Sequence, residues 1–220
     1  AYYAIEPQLS SPDVVCTVTT GSEAVETPYV FPFTDVSDSA WYRSDVETAH
    51  KNGLINGKTD TLYCPDDNMT IAEAIKLAAC MYQLYYDGAV TLTNGSPYWY
   101  SSYVTYATAN GIISTDYEDY DALITRAEFV SIFYYALPSS EYTAINTVVN
   151  GAIPDVAMSD SYATLIYTFY RAGILIGSDS EGTFNPESNI LRSEVAAILT
   201  RMFDDTARQS ITQNIGLRVE

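Results

Sequence analysis

Arg126 and Arg192 are the residues of this chain best placed to do chemistry, because each follows a position with the character of a helix start. An arginine there lies at the positive end of a helix dipole and offers charge-assisted hydrogen bonds, a combination suited to a carboxylate. Trp41 and Trp99 carry broad ring faces that suit the C–H surfaces of sugars. Gly53, Gly111 and Gly173 each follow a short apolar helical pattern, and a residue without Cβ lets a ligand approach the backbone closely. This set offers little for catalysis. His50 is the only histidine and sits near the end of a helical pattern, where it reads as a helix-end cation before a general base. Neither a nucleophile elbow nor a phosphate loop is present. The cluster Asp116, Glu118, Asp119 and Asp121 lacks the glycine and closing glutamate of an EF-hand loop and reads as a solvated acidic loop. No metal or cofactor is expected, and the chain is read as not an enzyme.

The elements that position these residues are written three times. Met69-Thr70-Ile71-Ala72-Glu73, Ile124-Thr125-Arg126-Ala127-Glu128 and Ile190-Leu191-Arg192-Ser193-Glu194 each open a run with apolar residues three and four apart. A Thr whose hydroxyl takes a free amide, with a Glu three residues on reaching back, is a capping box. Glu73, Glu128 and Glu194 are best explained that way. At the third copy Leu191 replaces the threonine, so fraying is expected there first. Ahead of each capped helix lies a shorter one. Residues 41–55 and 99–113 are identical at eight of fifteen positions, and 161–175 form a weaker copy that keeps only Tyr162 of the aromatic pair. Between the two helices runs a loop with Gly, an aromatic and Pro in the first and third copies; the second copy, 114–123, is acidic and lacks both Gly and Pro. The chain therefore divides into a lead-in at 1–30, repeats at 31–90, 91–140 and 150–205, and a tail at 206–220. A two-helix unit cannot bury its own apolar stripe, so the three must share a core.

Composition allows this. Hydrophobic residues make up 47% of 220 positions, ample for a buried core. Ten basic against 28 acidic residues give a net charge of −18, which argues against nucleic acid or an anionic membrane as partner. The 20 tyrosines suit sugar-stacking surfaces, although most tyrosine in any fold packs in the core. Cys16, Cys64 and Cys80 show no metal spacing and, being odd in number, no complete pairing. No apolar run is long enough to cross a membrane, and the start at Ala1 reads as that of a mature or trimmed product. Val14 to Thr19 alternates like a strand, and Ile211, Ile215, Leu217 and Val219 could pair with it or pack on the body.

Phe33-x-Asp35-Val36, then Trp41-Tyr42, then Gly53-Leu54-Ile55-x-Gly57, then Gly182-Thr183-Phe184-x-Pro186 and Thr125-Arg126-Ala127-Glu128, in threefold recurrence, resemble the S-layer homology domain of bacterial surface proteins. The resemblance implies a mainly α fold: a pseudo-threefold spindle around a central three-helix bundle, with minor β at the termini and grooves between repeats. It implies a secreted, cell-surface protein that attaches non-covalently to secondary cell wall polysaccharide, typically through pyruvylated N-acetylmannosamine. The ligand-binding residues would then be Arg126, Arg192, Trp41, Trp99, Gly53, Gly111 and Gly173, while Asp35 and Asp155 tie down local backbone. The alternatives are a degenerate scaffold for protein–protein interaction, or the anchor part of a larger cell-surface enzyme. Ile71 in place of arginine, Leu191 in place of threonine and the missing Asp-Val lead of repeat two make the three grooves unequal.

Overall fold

Thr70 and Thr125 adopt extended backbone, and the hydroxyl of each accepts the amide of the glutamate three residues on, Glu73 at 3.3 Å and Glu128 at 3.2 Å. The glutamates reach back to the cap amides at 2.8 and 2.9 Å, completing both boxes. In this computed structural model, which describes residues 29–114 and 116–211 together with the backbone of Ile5–Glu6 and Thr17–Val18, helices begin where these caps require. Among the described residues the α-helices are α1 (Arg43–Lys51), α2 (Ile71–Asp87), α3 (Ser101–Ala109), α4 (Arg126–Tyr134), α5 (Ala163–Arg171) and α6 (Arg192–Phe203). Thr17–Val18, inside the stretch read as a strand, pairs antiparallel with Ile5–Glu6. Of the tail, Ile211 packs against the core, and Ile215, Leu217 and Val219 lie outside the described residues.

The third cap departs from the expectation of early fraying. Leu191 has no side-chain acceptor, yet the Glu194 amide finds the Leu191 carbonyl at 3.0 Å and the Glu194 carboxylate still takes the Leu191 amide at 2.9 Å. The first two helical amides are held from outside, Arg192 by the Asp67 carbonyl (2.9 Å) and Ser193 by the Pro65 carbonyl (3.0 Å). Orphan amides satisfied by a neighbouring segment need no cap hydroxyl. The same external bonds recur at α2, from Ile71 to Ala122 and Ala72 to Tyr120, and at α4, from Arg126 to Ser188 and Ala127 to Pro186. Thr125→Ala should therefore cost only about 1 kcal/mol, the usual value of an N-cap bond, as a shift in urea midpoint with unchanged slope.

These bonds close a ring. Thr70 bridges Leu123, Thr125 bridges Asn189, and Leu191 bridges Asn68, so that each repeat's cap pairs with the residue two before the next repeat's cap. The three capped helices thus start side by side around one pseudo-threefold axis.

The short helices do not dock where chain order suggests. α3 packs on α2 and α5 on α4, each on the capped helix of the preceding repeat, and α1 closes the circle by packing on α6. Each short helix ends alike. Gly53, Gly111 and Gly173 have φ of +66°, +71° and +74°, and the next amide returns to the helix, Leu54 to Ala49 (2.8 Å), Ile112 to Ala107 (2.9 Å), Ile174 to Phe169 (2.9 Å). A left-handed residue there reverses the chain and satisfies the last carbonyls. All six helices contribute to one continuous apolar core, with Val46, Ile75, Phe129, Phe133, Ile166 and Phe169 fully enclosed. Cys80 is buried in α2, packed as a small apolar residue.

Candidate functional site

Each loop between a short helix and its capped helix is clamped from two sides in repeats one and three. The Asp35 carboxylate accepts the amides of Tyr63 (2.9 Å) and Cys64 (2.7 Å), and Asp155 accepts those of Phe184 (2.8 Å) and Asn185 (2.6 Å). Cys64 and Asn185 carry φ of +57° and +59°, a strained left-handed turn for a side-chain-bearing residue that the carboxylate holds in place. From the other side comes the arginine of the preceding repeat. Arg192 Nε donates to the Tyr63 carbonyl (2.9 Å) and one terminal nitrogen to the Asn56 carbonyl (2.8 Å), its guanidinium 4.7 Å from the Tyr63 ring centre. In return the Tyr63 hydroxyl donates to the Arg192 carbonyl at 2.6 Å. Arg126 Nε donates likewise to the Phe184 carbonyl (2.7 Å), a terminal nitrogen pairs with Glu194, and the Phe184 ring lies 5.0 Å away.

The arginines are thus not surface residues. Arg126 is 6% and Arg192 1% exposed, and both are main-chain fasteners between successive repeats. One terminal nitrogen on each has no hydrogen-bond partner among the described residues. Ile71, at the matching place in repeat one, is buried and faces the repeat-two loop, which has Glu118 where the others have Tyr63 and Phe184.

Of the three glycines, Gly53 and Gly173 are buried and end helices. A Cβ on Gly173 would sit 2.7 Å from both the Gln209 carbonyl oxygen and the Ile145 side chain, so that space is filled by the chain itself. Gly111 is exposed, with open space where a Cβ would be. It borders an open cavity of about 420 Å³ lined by Ile113, Tyr117, Ser131 and Tyr135. Tyr117, Ser131 and Tyr135 escaped sequence reasoning, because nothing in their own segments marks them; only the docking of the α3 end beside α4 brings them together.

The tryptophans differ. Trp41 is 63% exposed, edge-on to Tyr42, in the lobe where α1 meets α6 and Arg192. Trp99 is half-buried on the Ile71 side of the molecule, where α3 meets α2, with the buried Lys76 ammonium 5.7 Å from its ring centre. Trp99 therefore does not share a lobe with Arg126; that lobe, α5 on α4, carries Tyr162. His50 lies in the last turn of α1, its Nδ1 2.9 Å from the Tyr29 hydroxyl, and burial helps to push that phenol up to about 12.

Three helical units closed by a ring of cap bridges, each lobe shared between consecutive repeats, define a three-repeat helical domain. A model of the S-layer homology domain matches it at residues 32–75, 92–130 and 152–196, and the chain belongs to that family. It is 28% identical over 174 residues to exoglucanase XynX of Acetivibrio thermocellus, covering 76% of this chain and 16% of that protein. To the amylopullulanase of Thermoanaerobacterium thermosulfurigenes it is 26% identical over 197 residues, 86% of this chain and 10% of the relative. To the surface-layer 125 kDa protein of Lysinibacillus sphaericus it is 26% identical over 181 residues, 76% and 15%. The matched segment is thus a small part of each relative's length. No helix among the described residues is long and apolar enough to cross a membrane.

Proposed function

We propose that the chain is a non-catalytic anchor, holding a larger protein at the bacterial cell surface by binding secondary wall polysaccharide through a pyruvylated N-acetylmannosamine unit. One observation carries the reading. A segment matching 76–86% of this chain recurs, as 10–16% of the whole, in proteins named as an exoglucanase, an amylopullulanase and a surface-layer protein. What they hold in common with this chain is not one named activity, as suits a module that attaches different cargoes.

Within this reading the residues divide their labour. The spare terminal nitrogens of Arg126 and Arg192 meet the ketal carboxylate, while the Nε of each fixes the loop beside it. Trp41 supplies a ring face beside Arg192, and the cavity at Gly111, within the roughly 300–1,000 Å³ range of small-ligand sites, takes a sugar in repeat two. A net charge of −18 opposes an anionic polymer at long range, so attraction is local. Co-sedimentation with purified walls, before and after mild acid removal of the ketal pyruvate, tests the proposal. Losing one carboxylate's charge-assisted bonds should weaken binding about tenfold or more. Trp41→Ala, at an exposed position, should weaken it severalfold with the fold intact. Equal sedimentation before and after acid treatment would instead favour a protein-interaction scaffold.

A further inference from the structure

The lobe that has lost its arginine has gained a stack of tyrosines. Tyr98 lies parallel to Tyr100, centres 5.3 Å apart and planes 4° from parallel, and Tyr100 stacks in turn on Tyr120 at 5.0 Å and 22°. Trp99 braces the middle ring edge-on at 5.5 Å, and Tyr117, which lines the Gly111 cavity, meets Tyr120 edge-on at 5.8 Å. The stack is fixed to the ring of caps, since the Tyr120 carbonyl accepts the Ala72 amide at 2.9 Å. Tyr98 ends it at the surface: it is 60% exposed, with one ring face against Tyr100.

The surroundings are acidic. The Tyr120 hydroxyl lies 3.4 Å from Asp116, and desolvation, with the charges of Asp121 and Asp119, raises the Tyr100 phenol. Ile71 stands where the other two lobes have arginine, and the one basic residue of α2, Lys76, is buried against Trp99 and Tyr103. A carboxylate-bearing sugar would meet repulsion here. An uncharged pyranose would meet an aromatic face for its axial C–H groups and no charge it had to be matched with.

We infer that the outer face of Tyr98, preorganised by Tyr100 and Tyr120, is a platform for a neutral hexopyranose unit of the wall polymer, distinct in ligand charge from the arginine lobes. This rests on the polysaccharide-binding reading and refines it: one lobe takes an uncharged residue of a chain whose charged residues go elsewhere. A stacking platform depends on the ring and not on its hydroxyl, and its contribution is insensitive to salt.

The test is isothermal titration of the full chain with wall polysaccharide from Lysinibacillus sphaericus, intact and after mild acid removal of ketal pyruvate, using the parent, Tyr98→Ala and Tyr98→Phe. Tyr98→Ala should weaken binding to both polymers by the same factor, roughly three- to tenfold, at low and high salt alike, with Tyr98→Phe close to the parent. Parent-like binding by Tyr98→Ala, or equal losses in the alanine and phenylalanine variants, would overturn the platform. Should acid treatment abolish binding while Tyr98→Ala changes nothing, the platform fails and the ketal reading stands. If acid treatment changes nothing while Tyr98→Ala weakens binding, the platform stands and the ketal reading fails. Absence of binding to either polymer overturns both.

Discussion

Truncation after Val149 is expected to unfold the whole remaining chain, although it leaves the first two repeats whole. The partner of α1 is α6, so the cut strips the first repeat of its neighbour. Val46 and Ala49, wholly enclosed in the intact chain, would face water. Tyr63 would lose both its bond to the Arg192 carbonyl and the guanidinium over its ring, and the Asn56 carbonyl its donor. The Thr200 hydroxyl bond to the Asp45 carbonyl at 3.1 Å and the Asn68–Leu191 bridge would go as well. Each large apolar side chain returned to water costs about 1.5–3 kcal/mol, so several of them together with the lost hydrogen bonds match the 5–15 kcal/mol by which a typical domain is stable. Circular dichroism of a 1–149 fragment should show little helix and no cooperative melt; a sharp thermal transition in that fragment would refute the closed-ring account.

Arg192→Ala should destabilise the fold by about 3–5 kcal/mol, far above the 0–1 kcal/mol of an exposed arginine. The substitution leaves the Tyr63 and Asn56 carbonyls without their donor at a site only 1% exposed, each unmet acceptor costing about 1–3 kcal/mol, and removes the stem that packs on the Tyr63 ring. Urea unfolding of the variant reads this directly, and a loss under about 1 kcal/mol would show that the loop relaxes to water. Loss of wall binding in Arg192→Ala therefore cannot be assigned to a ligand contact until stability is measured, whereas Trp41→Ala separates the two.

Where helices begin was legible at Thr70, Thr125 and the glutamates, because a capping box is chemistry within four residues. The mainly α fold followed from three such boxes with apolar residues spaced along each run. Which helix each short helix covers was not legible: the stripe of Val46 and Ala49 demands a partner without naming it, and only the closed ring assigns α6. The burial of the arginines was missed for a related reason, since a residue next to a cap reads as exposed until another segment covers it. A signal did exist. Ile71 replaces arginine just before the repeat whose loop has Glu118 in place of an aromatic, while Arg126 and Arg192 precede, around the ring, the loops bearing Phe184 and Tyr63. Matched loss of both partners marks them as one contact. At Gly53 and Gly173 a glycine needed for positive φ is indistinguishable in sequence from one needed for ligand access.

The docking of α1 on α6 sets an order of events during folding. α1 comes well before its partner α6 in the chain, so closing the circle joins residues some 150 positions apart and carries the entropy of a long loop. Until α6 arrives, α1 has an apolar face and nothing to bury it against, and a nine-residue helix is unstable alone. The first repeat therefore becomes native no sooner than the third: the ring stays open until its third capped helix is made, then the two repeats lock together in one step.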